Sequence, residues 1–235
     1  MKVFILAGGL GTRIRPLFPD TPKALIPIRG KPFLEHQLQL LAGQGFRHFV
    51  LCLGYLAEQI IGYFGDGAKW GVEIEYSVEK SPLGTAGAIK NAARFFRETS
   101  IVLNGDTYLE MDYRALIAYH KKQAKRTGTI GTLALVGIED ASRYGSVIVG
   151  KDGRIIEFRE KVPSLRQSGL INAGVYVFEP RFLDYISAGR NVSLEKETLP
   201  TLLASGEKLF GFLVKGPFVD IGTPEGYHSL EKLLQ

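Results

Sequence analysis

Residues 48–64 read HFVLCLGYLAEQIIGYF, a short apolar run followed at once by a segment with helical periodicity. The run at 48–53 is typical of a buried strand, whereas the apolar residues at 56–64 recur every three or four positions, as they do in an amphipathic helix. The same alternation recurs on both sides, with strands predicted at 3–7, 72–78 and 100–106 and helices at 32–45 and 84–96. Such alternation predicts a parallel sheet that is covered by helices on both faces.

The second half of the chain is richer in strand-like segments. They are TIGTLAL (129–135), YGSVIVG (144–150), RIIEFRE (154–160) and INAGVYVFE (171–179), with Asp152-Gly153 as a hairpin turn. Helices are predicted at about 180–187 and 193–205, and a last one begins at Thr223-Pro224-Glu225. KLFGFLV (208–214) and FVDIG (218–222) are expected to close the sheet. We therefore predict one α/β domain over 1–235, with a Rossmann-like, mainly parallel but mixed sheet and an antiparallel insertion.

Composition excludes several classes of protein. The 235 residues contain one cysteine, Cys52, inside an apolar run, which indicates a buried strand thiol rather than a disulfide or a nucleophile. The start MKVFILAGG is too short for a signal peptide, and no apolar run approaches a membrane span, so a cytoplasmic protein is expected. The basic run HKKQAKR (120–126) ends an apparent helix and lacks interleaved aromatic residues, which disfavours nucleic acid as a partner.

A glycine-rich loop follows the first predicted strand. It reads Gly8-Gly9-Leu10-Gly11-Thr12-Arg13 and matches neither a Walker A loop nor the dinucleotide fingerprint. Glycines allow consecutive backbone N–H groups to approach phosphate oxygens, and the guanidinium of Arg13 adds a forked cation. Lys23 lies between Pro22 and Pro27, so we expect it on a stiff extended arm as a placed charge. The alternative is a plain turn with surface cations.

These segments resemble one enzyme family. LAGGLGTR…PK is similar to the signature of the sugar-1-phosphate nucleotidylyltransferases, and the family's further motifs follow in order over essentially the whole chain: PLGTAG (82–87), NGD (104–106), EK (160–161), INAGVY (171–176) and VDIG (219–222). The resemblance implies transfer of a nucleoside monophosphate from a nucleoside triphosphate to a sugar 1-phosphate, with release of pyrophosphate. Within the family, RYGSV, GLINAGVY and FVDIGTPEGY most resemble the branch that acts on D-glycero-α-D-manno-heptose 1-phosphate, with the mannose 1-phosphate branch next. The chain stops at Gln235, without room for the C-terminal β-helix that several relatives carry.

The resemblance also implies roles for individual residues. Arg13 and Lys23 are the expected catalytic residues, since Arg13 would neutralise the departing pyrophosphate and Lys23 would bridge the reacting phosphates. The expected nucleotide-binding residues are Leu6, Ala7, Gly8, Gly9, Gly11, Thr12, Arg13, Glu79, Pro82, Gly84 and Thr85. The expected sugar-phosphate-binding residues are Tyr144, Gly145, Glu160, Lys161 and Asn172, although Tyr144 serves equally well as a packing residue.

Two aspartates at strand ends are the expected metal ligands. Asp106 and Asp220 lie more than a hundred positions apart, yet each ends a predicted strand just before a loop. Either one alone is more typical of a turn or a helix cap. Within this family resemblance the pair predicts a sparse Mg²⁺ site, because this ion keeps waters and takes its remaining ligands from phosphates.

Glu79 is the expected reader of the base. It ends a predicted strand where the family's base pocket would lie. A carboxylate only accepts hydrogen bonds, and the Watson–Crick edge of guanine offers N1–H and N2–H as adjacent donors, so GTP is expected over UTP or dTTP. Pairing of Glu79 with Lys80 or solvent is an equally good interpretation, and the expectation of GTP rests more on the resemblance.

Three function classes remain after this reading. The first is the transferase, with a mannose 1-phosphate or a uridylyl- or thymidylyl-transferring relative as its alternatives and lipopolysaccharide, capsule or S-layer glycans as destinations. The second is a catalytically silent regulatory subunit, which would be expected to lack one of Arg13, Lys23, Asp106, Lys161 and Asp220. The third, a polymer-binding protein, would need a basic face that the charge pattern does not show. The sequence leaves the oligomeric state open, a homo-oligomer included.

Overall fold

A computed structural model of the chain describes residues 1–141, 145–159 and 168–235. Its helices are α1 (Phe33–Gly43), α2 (Ala57–Phe64), α3 (Gly84–Asn91), α4 (Tyr113–Thr127), α5 (Leu199–Ala204) and α6 (Pro224–Leu233). Its strands are β1 (Val3–Leu6), β2 (Pro27–Ile28), β3 (Lys31–Pro32), β4 (His48–Leu53), β5 (Glu73–Val78), β6 (Ser100–Asn104), β7 (Thr107–Leu109), β8 (Gly131–Ile138), β9 (Ser146–Val149), β10 (Ile155–Arg159), β11 (Gly169–Phe178), β12 (Leu209–Val214) and β13 (Phe218–Asp220).

The central sheet is mixed and mainly parallel, as predicted. Within the described ranges it has seven strands, in the order β12-β8-β11-β6-β1-β4-β5. β6, β1, β4 and β5 pair in parallel, as do β8 and β12, whereas β11 is antiparallel to both of its neighbours. β9 and β10 form the antiparallel hairpin predicted for the second half. The described helices include none that is long and apolar enough to cross a bilayer.

Side chains of the parallel strands alternate between two apolar layers, one on each face of the sheet. On β1, Val3 and Ile5 belong to the layer that contains residues of α1 and α2, and Phe4 belongs to the layer that contains residues of α3 and α5. A strand that is buried on both faces needs apolar residues at successive positions, which explains the unbroken run at 48–53. Cys52 lies in that run and is 1% exposed, as predicted. Burial raises the pKa of its thiol to about 12, which keeps the thiol protonated and unreactive.

The register of the parallel strands places four loops at one edge of the sheet. Leu6, at the end of β1, is paired with Cys52 on one side and with Asn104 on the other. The loops that follow β1, β4, β5 and β6 therefore leave the sheet together. Ligands of open α/β sheets bind at this edge, outside the carboxyl ends of the strands.

Three expectations about local structure need correction. FVDIG does not close the central sheet, because Phe218–Asp220 pairs instead with Thr107–Leu109 in a separate two-stranded ribbon. The helix predicted at about 193–205 is divided into a wide turn at Leu194–Thr198 and α5, and the one at about 180–187 is a short 3₁₀ segment, Pro180–Tyr185. Such pairings and turns depend on distant contacts, which periodicity does not report.

The arm that carries Lys23 also differs in part from the expectation. Pro22 is extended, with φ −62° and ψ 142°, as a residue within a stiff arm should be. Lys23 itself begins a single 3₁₀ turn, Lys23–Leu25, in which the N–H of Ile26 bonds to the carbonyl of Lys23. The lysine is therefore held by a turn, which restricts its backbone more strongly than an extended arm would.

Candidate active site

The glycine loop turns sharply directly after β1. Gly11 has a φ of +60°, a conformation that residues with a Cβ rarely adopt. Its carbonyl accepts hydrogen bonds from the N–H groups of Ile14 at 3.1 Å and Arg15 at 2.9 Å. A Cβ added to Gly11 would lie 3.4 Å from the Cβ of Lys23. The turn therefore brings the loop over the lysine that follows it in sequence.

Three predicted charged residues converge at Gly222, in the loop after β13. A Cβ added there would lie 2.7 Å from Asp220 Oδ1, 2.8 Å from Arg13 Nη2 and 2.9 Å from Lys23 Nζ. Lys23 Nζ also lies 2.6 Å from Asp106 Oδ2, and its side chain is only 13% exposed. Arg13 Nη2 lies 4.0 Å from Asp220 Oδ2. Two cations and two carboxylates thus meet at one point, although their positions span residues 13 to 220.

The ribbon of β7 and β13 brings the two aspartates together. Asp220 pairs with Thr107, the residue after Asp106, and the N–H of Ile221 donates to the carbonyl of Asp106 at 2.9 Å. Burial and then the charge of Asp106 raise the pKa of Asp220, against the opposing charges of Lys23 and Arg13. Two neighbouring carboxylates that repel each other form a donor set suited to a hard cation. Among the described residues no third His, Cys, Asp or Glu completes a closed cluster with them, so the remaining ligands of such a cation would be water or phosphate.

Two adjoining cavities open at this edge of the sheet. The smaller, of about 190 Å³, is lined by Leu6, Ala7, Gly9, Gly11, Thr12, Arg13, Lys23, Ala24, Gly105, Asp106 and Gly222. The larger, of about 500 Å³, is lined by Leu6, Gly8, Gly9, Leu10, Gly54, Tyr55, Glu79, Lys80, Ser81, Pro82, Gly84, Thr85, Ala88, Asn104, Asp106 and Asn191. Every residue expected to bind the nucleotide therefore lines one cavity or both. The smaller is rich in cations and backbone N–H groups, and the larger has the size of a site for a small organic ligand.

Glu79 lies against two glycines in the wall of the larger cavity. Its Oε1 atom would be 2.7 Å from a Cβ at Gly54 and 3.2 Å from one at Gly8, so a side chain at Gly54 would collide with the carboxylate. Its Oε2 atom accepts a hydrogen bond of 3.2 Å from the N–H of Leu83. Burial raises the pKa of Glu79, and this hydrogen bond opposes the rise. Part of the carboxylate thus stabilises the 79–83 turn, a role that the sequence reading did not include.

The structure describes two of the five residues expected to bind the sugar phosphate. Asn172 lies at a bulge in β11, where its Nδ2 donates to the hydroxyl of Tyr176 at 2.8 Å and its Oδ1 accepts from the N–H of Gly174 at 3.0 Å. Gly145 has a φ of +74°, directly before β9. The other three, Tyr144, Glu160 and Lys161, lie outside the described residues.

The sequence reading missed several residues at the cavity wall. Tyr55 lies in the loop directly after β4, where the strand-end argument applied to Asp106 could have found it, and its hydroxyl accepts a hydrogen bond of 2.9 Å from Arg15. Asn191 lies 109 positions after Pro82 in the sequence, and its Nδ2 donates to the carbonyl of Pro82 at 3.1 Å. No local pattern indicates such a distant contact.

Comparisons with known proteins identify the family of the chain. The sequence model of the family described as Nucleotidyl transferase matches residues 2–235. A D-glycero-alpha-D-manno-heptose 1-phosphate guanylyltransferase of Aneurinibacillus thermoaerophilus is 38% identical over 236 residues, which cover 100% of this chain and 99% of that protein. A mannose-1-phosphate guanylyltransferase of Mycobacterium tuberculosis is 39% identical over 225 residues, or 95% of this chain. The chain spans 61% of the length of that mycobacterial relative.

A solved structure adds a likeness of the whole fold. The crystal structure of HddC from Yersinia pseudotuberculosis complexed with GMP-PN matches with a TM-score of 0.84 and 32% sequence identity, over 100% of this chain and 99% of that one. The family match covers nearly every residue of this chain, including the glycine loop and both aspartates. This chain belongs to the nucleotidyl transferase family.

Proposed function

We propose that this protein transfers GMP from GTP to a sugar 1-phosphate, specifically D-glycero-α-D-manno-heptose 1-phosphate, and releases pyrophosphate. The observation that carries the proposal is the convergence of Arg13, Lys23, Asp106 and Asp220 beside a cavity of about 500 Å³. The choice of substrates is supported by the heptose 1-phosphate guanylyltransferase of Aneurinibacillus thermoaerophilus, because the match to this chain covers 99% of that protein.

The reaction needs two polyanions to be held in line. An oxygen of the sugar phosphate attacks the α-phosphorus of GTP, a new O–P bond forms, and the bond to the β-phosphate oxygen breaks as pyrophosphate leaves. The enzyme supplies no nucleophile, so positioning and neutralisation of charge lower the barrier. In this proposal the N–H groups of Gly9, Gly11 and Thr12 hold phosphate oxygens, Arg13 neutralises the leaving pyrophosphate and Lys23 bridges the reacting phosphates.

Asp106 and Asp220 would hold the divalent metal that members of the nucleotidyl transferase family generally use. We propose Mg²⁺, because two carboxylates with ligand positions left for water and phosphate suit this ion. The bound ion would screen phosphate charge. Lys23 already offsets one of these carboxylates, so the protein itself keeps the two acids close before substrates arrive.

Alternatives differ in substrate or in class. A mannose 1-phosphate guanylyltransferase is the nearest one, since the mycobacterial relative of that name is 39% identical. A uridylyl or thymidylyl transferase would differ mainly in its use of Glu79. A silent regulatory subunit is disfavoured because both cations and both carboxylates are present and converge. The free buried thiol of Cys52 fits a reducing compartment, so we place the reaction in the cytoplasm.

Release of pyrophosphate is the direct test. A coupled assay would compare GTP, UTP, dTTP and ATP, each with heptose 1-phosphate, mannose 1-phosphate and glucose 1-phosphate. The highest kcat/KM is expected for GTP with heptose 1-phosphate. A preference for mannose 1-phosphate or for UTP would support the corresponding alternative, and nucleotide binding without turnover for any pair would support the silent subunit.

The metal site has its own test. Asp106→Asn and Asp220→Asn each remove one anionic ligand at constant side-chain size, so each should raise the Mg²⁺ concentration needed for half-maximal activity. Asp184→Asn, in the distant Pro180–Tyr185 segment, is the matched control and should keep the wild-type Mg²⁺ dependence. If EDTA leaves the wild-type reaction unchanged, the assignment of both aspartates is wrong.

A further inference from the structure

A carboxylate behind the cavity wall connects the nucleotide side of the cleft to the sugar side. Glu195 lies in the wide turn before α5, and the described residues place four donors around it. Its Oε2 accepts from the hydroxyls of Thr85 at 2.9 Å and Ser193 at 3.4 Å. Its Oε1 accepts from the hydroxyl of Tyr176 at 3.1 Å and from Asn104 Nδ2 at 3.5 Å. Thr85 lines the larger cavity, so this carboxylate lies directly behind the proposed nucleotide site.

The carboxylate oxygens of Glu195 serve as acceptors, so the hydroxyls of Thr85, Ser193 and Tyr176 are the donors in their bonds to it. Tyr176 must give its proton to Glu195, so its oxygen is free to accept from Asn172 Nδ2 at 2.8 Å. Asn172 then turns its Oδ1 to the N–H of Gly174 at 3.0 Å. One N–H and one lone pair of the Asn172 amide remain for a sugar hydroxyl.

The nucleotide side is oriented in the same way. Thr85 gives its proton to Glu195, and its oxygen accepts from the N–H of Leu194 at 2.7 Å. The hydroxyl of Thr85 is therefore fixed at the first turn of α3, beside the cavity. Tyr176 is fully buried, and burial together with the charge of Glu195 raises its pKa well above the usual value, so it stays a protonated donor.

We propose that Glu195 is a positioning residue that holds Thr85 at the nucleotide and, through Tyr176, Asn172 at the sugar phosphate. The inference rests on the proposed function and deepens it, because it assigns substrate positioning to a residue that lines neither cavity. A glutamine at this position could donate as well as accept. Its NH2 group would then face one of the two hydroxyls, which would lose its acceptor, and the contact from Tyr176 to Asn172 would lose its support, although the N–H of Gly174 would still hold Oδ1.

Glu195→Gln, Tyr176→Phe and the double variant test the proposal. Glu195→Gln should raise KM for the sugar 1-phosphate about tenfold, because the loss of one hydrogen bond to a charged group has an effect of that size. It should weaken nucleotide binding as well. Tyr176→Phe keeps the ring in the core and breaks only the sugar branch, so it should raise the same KM and leave the nucleotide Kd unchanged. The double variant should raise that KM no further than Glu195→Gln alone, because both changes break one connection. Glu197, on the same turn, accepts from the N–H of Ser193, and Glu197→Gln should keep both wild-type values.

The measurements on these variants either support or refute the role proposed for Glu195. The proposal fails if Glu195→Gln leaves KM of the sugar 1-phosphate unchanged, or if the effects of the two single variants multiply. The proposal would also be overturned if Glu195→Gln and Tyr176→Phe both lowered the thermal stability and did not differ in their effects on KM and on the nucleotide Kd. A purely structural role predicts that result. If the wild type turns over no substrate pair, the proposed function fails. The role of Glu195 can then still be tested by calorimetry, which would compare the nucleotide Kd of Glu195→Gln with that of the wild type for the triphosphate that the wild type binds most tightly. A wild type that binds no triphosphate would overturn both.

Discussion

Lys23 has the most closely defined surroundings of the predicted site residues. Its ammonium group lies 2.6 Å from Asp106 Oδ2 and its side chain is 13% exposed, so the charge is largely shielded from water and oriented. Lys23→Ala should lower kcat by roughly two to three powers of ten, because one preorganised charge on a transferring phosphate contributes about 3–4 kcal/mol. Lys31→Ala, on the exposed segment nearby, is the control and should be neutral. Near-normal turnover in a folded Lys23→Ala protein would remove this lysine from the mechanism.

Glu79 should decide the choice of base. Its carboxylate lines the larger cavity and presents only acceptors, which match the two adjacent donors of guanine. Glu79→Gln should lower kcat/KM for GTP by about tenfold while sparing or improving UTP, since the loss of one charged hydrogen bond costs about 1.5 kcal/mol or more. The side chain of Gln can still accept from the N–H of Leu83, so the turn should survive. Glu75→Gln, on β5, the strand directly before Glu79, but paired with Lys2, is the control. An equal effect on both nucleotides would show that Glu79 does not read the base.

At the scale of the element, the loop after β1 depends on the backbone conformation of Gly11. Its φ of +60° costs a residue with a Cβ about 1–2 kcal/mol, and Gly11→Ala should lower the free energy of unfolding by about that amount. The variant should also raise KM for GTP, because the loop passes over Lys23. Gly9→Ala is the matched stability control, since a Cβ there would meet no atom within 4 Å. Urea unfolding of both variants measures the difference, and equal stabilities would refute the argument.

At the scale of the whole molecule, a buried histidine connects α4, β8 and the end of β11. The side chain of His120 is fully buried. As a neutral imidazole it donates from Nε2 to Glu179 and accepts at Nδ1 from the hydroxyl of Thr132, each at 2.9 Å. Burial lowers the pKa of His120, and Glu179 opposes this shift without reversing it. The folded state therefore favours the neutral imidazole.

The sign of the pH effect follows from that lowered pKa. In the unfolded chain the pKa of His120 is about 6.5, so below that pH the unfolded chain binds a proton that the folded chain does not bind. The free energy of unfolding therefore falls as the pH falls toward the pKa of the folded state. The free energy of unfolding should thus drop between pH 7.5 and pH 5.5, and His120→Gln should remove part of this drop. His48→Gln, at an exposed position on β4, is the control. Identical pH profiles of the wild type and His120→Gln would contradict the prediction.

The sequence alone determined the alternation of strands and helices, the buried run of β4 and the family. These features are local: a buried strand needs consecutive apolar residues, and a loop close to phosphates needs glycine. The mixed, mainly parallel sheet was predicted for this reason, and the family resemblance is confirmed by the match over residues 2–235. The sequence also indicated that Gly8, Glu79 and Asp106 each lie at the end of a predicted strand, and in the structure all three line the larger cavity.

Only the tertiary structure decided how distant segments meet. The pairing of β13 with β7 sets Asp220 beside Asp106, although periodicity had assigned β13 to the central sheet. Glu195 gave no signal in sequence, because its partners Thr85 and Tyr176 come from elements far from it along the chain. Hydrogen bonds depend on distance and direction in space, and a register shift of one residue would break them. The identities of the site residues are thus local information, whereas the convergence of their charges is a property of the folded chain.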